Sequence, residues 1–125
     1  MTPTTLLLRQ INPSFLQAGR VTSQAFRPTP KDENLLSVYD GDQIHPLTAW
    51  QHFMATPGCR SAGVMAVTHA ECTAEQLPIN PDGVPFPEHV SIDFSAFGKG
   101  EVEKKAKILV RQAQTRGWLF QAELG

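Results

Sequence analysis

The sequence predicts an α+β fold: a single two-layer domain in which a four- to five-stranded mixed sheet packs against about three helices. Short apolar or alternating segments of strand length are interleaved with segments of helical periodicity, which is the pattern that predicts this class. The 125 residues fit one globular domain spanning 1–125, and the hydrophobic content of 41% indicates a folded core rather than disorder.

The first third of the chain contains two predicted strands joined by an irregular connection. Residues 5–11, TLLLRQI, form an apolar run that an Asn-Pro pair ends. Residues 35–39, LLSVY, are rich in strand-forming side chains and lead into an Asp-Gly turn. Between them RVTSQAF alternates weakly, which indicates a short strand or an extended edge, and Pro28 and Pro30 exclude a central position in a sheet.

The first predicted helix covers residues 46–55, PLTAWQHFMA. It begins with a proline, which is tolerated at the first helical position because its missing N–H would have no partner there. A Pro-Gly pair ends it. Its apolar side chains fall at helical spacing and predict one buried stripe, made of Leu47, Trp50, Phe53 and Met54.

A buried strand and a short second helix follow. AGVMAVT at residues 62–68 is continuously apolar, and Thr68 and Glu71 have the spacing of a capping box at the start of a helix covering about residues 69–76. A proline-rich connection leads to residues 90–94, VSIDF, whose alternation predicts a strand with one buried face.

The last predicted helix is followed by a closing strand, WLFQA, at residues 118–122. Glu101 with Lys105 and Glu103 with Lys107 have the favourable order for helix salt bridges, and Gly117 is placed to end the helix. The final strand–helix–strand unit fits a right-handed parallel crossover. One helix face is apolar and consists of Val102, Ala106, Leu109, Val110 and Ala113.

Composition narrows the partners that we expect. The net charge of −1 makes nucleic acid an unlikely partner, and we interpret the basic face of the last helix, Lys104, Lys105, Lys107 and Arg111, as solvated. No apolar run reaches the ~20 residues of a membrane helix, so no membrane association is expected. Two cysteines do not make a disulfide framework, which indicates a cytoplasmic protein with reduced thiols.

Residues 19–42 concentrate basic and hydroxyl side chains between two turns and form the candidate ligand-binding segment. Arginine grips carboxylates and phosphates in two places, while hydroxyls and an amide add hydrogen bonds, so a small anionic ligand is a possible occupant. The alternative is an ordered loop in which Asp32, Glu33 and Asp40 pair with the bases. The candidate residues are Arg9, Arg20, Thr22, Ser23, Gln24, Arg27, Lys31 and Asp32.

Three other chemistries are weaker. Cys59, His69, Cys72 and His89 are zinc-ligand types, but their spacing matches no standard site, so no metal and no other cofactor is expected. A reactive Cys72 would need a lowered thiol pKa, whereas its acidic neighbours would raise it.

A carboxylate–histidine pair is the third of these chemistries. Asp93 lies on the polar face of its strand, with Glu88 and His89 just upstream, and such a pair could perform acid–base work. A solvent-facing strand residue is the commoner explanation for Asp93.

Two functional hypotheses follow. The first is a small cytoplasmic accessory protein that binds another macromolecule, most plausibly a protein partner, through residues 19–42 and 78–87. The alternative is a small nucleotide- or phosphate-binding domain, or a transferase-like enzyme, that uses residues 19–42. The sequence contains no strong catalytic constellation, which favours a protein without enzymatic activity.

Overall fold

Eight strands and three α-helices make up residues 1–122, the part of the chain that the structure, a computed structural model, describes. The strands are β1 (Leu6–Gln10), β2 (Leu16–Gln17), β3 (Arg20–Val21), β4 (Leu35–Asp40), β5 (Gly63–Thr68), β6 (Ile79–Asn80), β7 (His89–Asp93) and β8 (Phe120–Gln121). The helices are α1 (Pro46–Met54), α2 (His69–Ala74) and α3 (Lys99–Arg116), and 3₁₀ turns lie at Pro13–Phe15, Ser23–Phe26 and Pro30–Asp32.

Six strands form one sheet in the order β6-β7-β4-β1-β5-β8, and every neighbouring pair is antiparallel. The α+β class is confirmed, but the prediction of a four- to five-stranded mixed sheet is wrong. The two-residue β6, at one edge, is too short to leave a periodic pattern in the sequence. Strands β7 and β8 run in the same direction on either side of β4, β1 and β5, so α3 crosses three strands between them.

The pairing register divides the sheet into two apolar faces. Leu7 aligns with Val67 on the face that α3 covers, and Leu8 aligns with Ala66 on the opposite face. The α3 face holds the larger core, which includes the fully buried Phe26, Phe94 and Leu109. The opposite face holds a smaller core, formed by Leu8, Tyr39, Ala49, Val64 and Ala66.

Helix α1 covers only part of that second face. It contacts β1, β5 and β8, and it thereby adds a third layer to the predicted two over that half of the sheet. Over β4 and β7 the same face carries Ser37, His89 and Ser91 beside Tyr39. The uncovered half is therefore more polar than the half under α1, and the loop between β6 and β7 folds toward it.

The strongest local predictions are confirmed. Helix α2 has its capping box, in which the Thr68 side chain accepts from the Glu71 amide at 3.1 Å and Glu71 accepts from the Thr68 amide at 2.7 Å. Gly117, with φ of +89°, ends α3. The whole predicted apolar face of α3 is buried.

Two predictions about helix side chains need correction. In α1, Trp50 and Phe53 pack beside Ala49 against the second core, whereas Leu47 and Met54 are 46% and 38% exposed. In α3 the predicted salt bridges are absent from residues 1–122. The Lys105 ammonium group instead donates to the Glu75 carbonyl at 2.7 Å, and Glu103 pairs with Arg27 at 3.3 Å. Tertiary partners thus displace the local pairs, and Lys105 leaves the solvated basic face.

Gly63 provides a test of how closely β5 and β8 approach each other. Its φ is +155°, and a Cβ there would overlap the Phe120 carbonyl oxygen and crowd the Trp118 ring. We expect Gly63→Ala to lower the free energy of unfolding by about 2 kcal/mol or more. The matched control is Gly100→Ala in the first turn of α3, where a Cβ meets nothing within 4 Å. It should stabilise the protein by about 0.5–1 kcal/mol. Urea unfolding measures both, and equal effects of the two changes would contradict this account.

Candidate functional site

A cavity of about 320 Å³ lies beside α1, over the polar half of the second face. One part of its wall is apolar and mostly aromatic, formed by Phe15, Val38, Tyr39, Phe53, Pro85 and Phe86. The other part is polar, formed by Arg9, Gln10, Asn12, Ser37, Arg60 and His89. The combination of aromatic walls and a few convergent polar groups is typical of a small-molecule site.

Arg9 occupies a gap between two strands. β1 and β4 pair only at Leu7–Asp40 and Leu8–Tyr39, and their ladder stops at this point. The Arg9 side chain bridges the gap beyond it, donating from Nη1 to the Ser37 carbonyl at 3.0 Å and from Nε to the Ala25 carbonyl at 2.7 Å. Arg9 therefore supplies the hydrogen bonds that the diverging backbones do not make.

The charge of Arg9 is poorly compensated. Desolvation lowers the pKa of the guanidinium to about 10, although the negative charge of Asp32 opposes the shift. The group is still protonated at neutral pH. Both of its hydrogen-bond acceptors are neutral carbonyls, and the ion pairs within residues 1–122 join other side chains. A partly buried cation without a bound carboxylate favours an anion at its free side.

Gln10 places an unpaired amide in the same wall. Its side chain is only 7% exposed, its Oε1 lies 2.7 Å from the Ser61 hydroxyl, and its Nε2 has no partner within the described residues. The Ser61 hydroxyl has a single proton and also lies 2.8 Å from the Gly63 carbonyl. Whichever way the amide is oriented, one of its polar atoms is left to bond something else.

His89 forms hydrogen bonds with one side chain from a strand and one from a loop. Its Nδ1 lies 2.6 Å from the Asp82 carboxylate, and its Nε2 lies 3.1 Å from the Ser37 hydroxyl. The Ser91 hydroxyl donates to the second Asp82 oxygen at 2.8 Å. Burial raises the pKa of Asp82, but the hydrogen bonds from His89 and Ser91 outweigh it, so the pKa lies below its ordinary value.

Phe86 organises the aromatic side of the cavity. Its ring stacks on Tyr39 with ring centroids 4.9 Å apart. It packs edge-to-face with His52 and His89, at centroid separations of 4.6 and 5.3 Å. The Tyr39 hydroxyl lies 2.9 Å from Nδ1 of His52. Burial, with smaller effects of Cys59 and Glu88, raises the pKa of Tyr39 to about 12. Tyr39 is therefore a neutral phenol at physiological pH.

The residues predicted from the sequence divide between two other grooves. Arg9, Gln24, Arg27 and Asp32 line one of about 280 Å³, on the other side of the Arg9 guanidinium from the cavity. Arg20 and Thr22 line a second of about 390 Å³, against Gln114 of α3. Ser23 and Lys31 line neither groove. The structure thus brings four of the eight together, and Arg9 alone also lines the cavity.

Several of those side chains already have partners. Arg27 pairs with Glu103 of α3, and the Asp32 carboxylate accepts from the Thr29 hydroxyl at 2.9 Å. The Thr22 hydroxyl donates to the Phe15 carbonyl at 2.9 Å. These contacts hold the segment in place against the rest of the protein and reduce the number of its polar groups that are free to bind a ligand.

The predicted carboxylate–histidine pair exists with a different carboxylate. Asp93 accepts from the amide of Ser95 at 2.8 Å, whereas Asp82 contacts His89. Nothing in the sequence distinguished Asp82, because its position depends on how the proline-rich connection returns to β7. The cavity residues Gln10, Ser37, Tyr39 and Phe86 were likewise missed, since the strand pattern marks their faces but not their function.

The four residues weighed as zinc ligands do not come together. Within residues 1–122 no group of three or more His, Cys, Asp or Glu side chains is arranged to hold a metal ion. Cys72 is fully buried, and burial together with Glu71 raises its pKa to about 12, so it is a poor nucleophile. None of the helices in this described range has the length and apolar character needed to cross a membrane.

Comparisons with known protein families, curated proteins and solved structures give no match to this chain.

The Asp82–His89 contact makes stability depend on pH. Because the pKa of folded Asp82 lies below its ordinary value, its contribution is fully present above the unfolded pKa of about 4 and is lost as pH falls through the folded pKa. We expect Asp82→Asn to be less stable than the parent at pH 6, with a gap that shrinks toward pH 3. Urea unfolding at both pH values measures the gap, and a gap independent of pH would contradict this account.

Proposed function

We propose that the protein binds a small organic anion in the cavity beside α1. The anion carries a carboxylate or phosphate group and a planar apolar part. The observation that carries the proposal is Arg9, a partly buried cation in the cavity wall whose hydrogen-bond acceptors are only carbonyls. An anionic group at the guanidinium would add the direct ion pair that Asp32, which acts on this charge without bonding to it, does not supply.

The charges around the cavity support an anion. Arg9 and Arg60 both line it, and no Asp or Glu of the described residues does. Arg60 is exposed and takes part in none of the ion pairs within residues 1–122, so its guanidinium is available at the rim. Two arginines that are not neutralised by acids favour binding of a negatively charged ligand.

The remaining walls support a planar ligand of modest size. Tyr39, Phe53 and Phe86 supply flat apolar surface, and the unpaired amide of Gln10 supplies a hydrogen bond that would orient the ligand. A volume of about 320 Å³ is at the small end of the range for ligand pockets. The proposal keeps the small-anion hypothesis from the sequence but moves its centre from residues 19–42 to the face of the sheet.

Binding of another protein is the second candidate. Leu47 and Met54 lie two helical turns apart on the exposed side of α1, and Val84, in the 78–87 connection, is 65% exposed. Exposed apolar side chains of this kind are typical of contact surfaces. Under either proposal we place the protein in the cytoplasm, a location that the two free thiols, Cys59 and Cys72, support.

Calorimetric titration with phenyl phosphate and benzoate tests the proposal. We expect saturable binding of at least one, and none of the uncharged benzyl alcohol. Arg60→Gln should weaken binding roughly 10- to 100-fold, because a hydrogen bond to a charged group is worth about 1.5–3 kcal/mol. Arg20→Gln, an exposed arginine outside the cavity, is the matched control and should bind as the parent does.

Three outcomes would contradict the proposal: no saturable binding of either anion at millimolar concentration, equal binding of benzyl alcohol, or equal loss in Arg60→Gln and Arg20→Gln. Thermal melts of both variants show whether each has kept its fold.

A further inference from the structure

Three side chains from three segments form a continuous hydrogen-bonded chain that ends in the cavity. Ser37 comes from the middle of β4, His89 from the start of β7, and Asp82 from the loop between β6 and β7. The Ser37 hydroxyl lies 3.1 Å from His89 Nε2, and His89 Nδ1 lies 2.6 Å from Asp82 Oδ1. A hydroxyl, a base and a group that orients the base, each within hydrogen-bonding distance of the next, are the geometric signature of an activated nucleophile.

The protonation of His89 follows from its partners. An ionised carboxylate only accepts hydrogen bonds, so the nitrogen beside Asp82 must carry a proton. In the neutral ring the proton then sits on Nδ1, and Nε2 presents its lone pair to the serine. The Ser37 hydroxyl must therefore donate to His89. This is the direction in which a proton moves when a histidine acts as general base toward a hydroxyl.

Asp82 is itself held in place. The Ser91 hydroxyl donates to its second oxygen at 2.8 Å, and the side chain of Asp82 is 23% exposed. The His89 side chain is 11% exposed, and the Phe86 ring packs against the imidazole with centroids 5.3 Å apart. The base and its partner are thus fixed and partly shielded from water, while the hydroxyl is not.

Ser37 differs from Ser91 of β7 and from Ser61, which precedes β5. It is exposed, it lines the cavity, and within residues 1–122 its hydroxyl bonds only to His89. Ser91 is buried and committed to Asp82, and Ser61 is buried and committed to Gln10 and Gly63. Ser37 alone among these three combines a base partner with access to the cavity.

A positive charge lies next to Ser37. Arg9 Nη1 donates to the Ser37 carbonyl at 3.0 Å, and the guanidinium shares the cavity wall with the serine hydroxyl. A fixed cation in this position would stabilise the negative charge that develops on a carbonyl oxygen under attack.

We propose that Ser37 is the nucleophile of an acyl-transfer site, with His89 as its general base and Asp82 as a positioning residue, acting on an ester of a small organic acid. The proposal rests on the cavity as the ligand site of the proposed function. Ser37 Oγ bonds to the ester carbonyl carbon, His89 Nε2 takes the hydroxyl proton, and the carbon–oxygen bond to the alcohol breaks. His89 returns the proton to the leaving alkoxide, which departs as the alcohol.

A water molecule completes the cycle. It attacks the acyl group on Ser37 while His89 Nε2 takes its proton, and the proton then passes to Ser37 Oγ as the acid leaves. The net reaction is an ester plus water giving an acid and an alcohol, and no oxidant, reductant or metal is needed.

Covalent labelling with an alkyl fluorophosphonate tests the nucleophile directly. Serine oxygen displaces fluoride from phosphorus, and peptide mass spectrometry locates the adduct. We expect the adduct on Ser37 and none on Ser14, an exposed serine outside the cavity. His89→Gln should slow labelling by about 100-fold or more, the usual contribution of a general base. Absence of an adduct on Ser37, or labelling of a folded His89→Gln variant at the parental rate, would overturn the proposal.

The positioning role of Asp82 needs a measurement that would not change if Asp82 only supported the fold. Asp82→Asn should slow labelling of Ser37 about as strongly as His89→Gln does, because an amide N–H beside Nδ1 holds the ring in the tautomer that leaves no lone pair at Nε2. Asp82→Glu, which keeps a carboxylate beside the ring, should restore part of the rate. A folded Asp82→Asn variant that labels at the parental rate would overturn the role of Asp82.

The labelling and titration experiments can fail independently, so they distinguish the acyl-transfer proposal from the anion-binding proposal. Ser37→Ala should abolish labelling. Anion binding that depends on Arg60, together with an unlabelled Ser37, would leave the binding proposal standing and overturn the acyl-transfer proposal. Labelling of Ser37 without any anion binding would support the nucleophile and overturn the anion site on which its substrate class rests.

Discussion

The divergence of β1 from β4 is the constraint on which the rest of the site depends. The two strands pair at only two positions, although both lie in the middle of the sheet. The Ser37 carbonyl accepts a hydrogen bond from the Arg9 guanidinium rather than from a neighbouring strand. The gap opens the sheet at its centre, and the same side chain that bridges it brings a cation to the cavity wall.

The second face of the sheet therefore has a packed half, which stabilises the fold, and a polar half, which lines the cavity. Where α1 covers it, the face is packed with Leu8, Val64 and Ala66. Over β4 and β7 it carries Ser37 and His89 beside Tyr39, and Arg9 of β1 adds a charge to the same cavity wall. Such polar and charged groups contribute less to stability than buried apolar residues would. The large core under α3 is independent of that half, so the fold can tolerate a polar, partly open surface there.

The sequence predicted those elements that short-range residue patterns determine. The α3 face, the α2 capping box and the strands β1, β4, β5 and β7 follow from periodicity and from short-range rules. Strand β6 spans two residues and carries no periodic signal, so the number of strands was underestimated. Arg9 was included as a basic residue of the first predicted strand that could bind an anion together with Arg20 and Arg27, but the residues expected beside it came from the neighbouring polar segment rather than from across the sheet.

The part of the site that the sequence could not predict is the part set by register. His89 contacts Ser37 only because β7 pairs with β4 so that Ser91 lies opposite Ser37 and His89 lies opposite Tyr39. A shift of one residue would turn His89 toward the α3 core and leave Ser37 without a base. Asp82 reaches His89 because the loop between β6 and β7 returns over the same face. The proposed anion binding depends on Arg9 and Arg60, whereas the proposed chemistry depends on the β4–β7 pairing, and both use the cavity beside the β1–β4 gap. A substrate that satisfies both places its ester carbon at Ser37 and its anionic group toward the arginines.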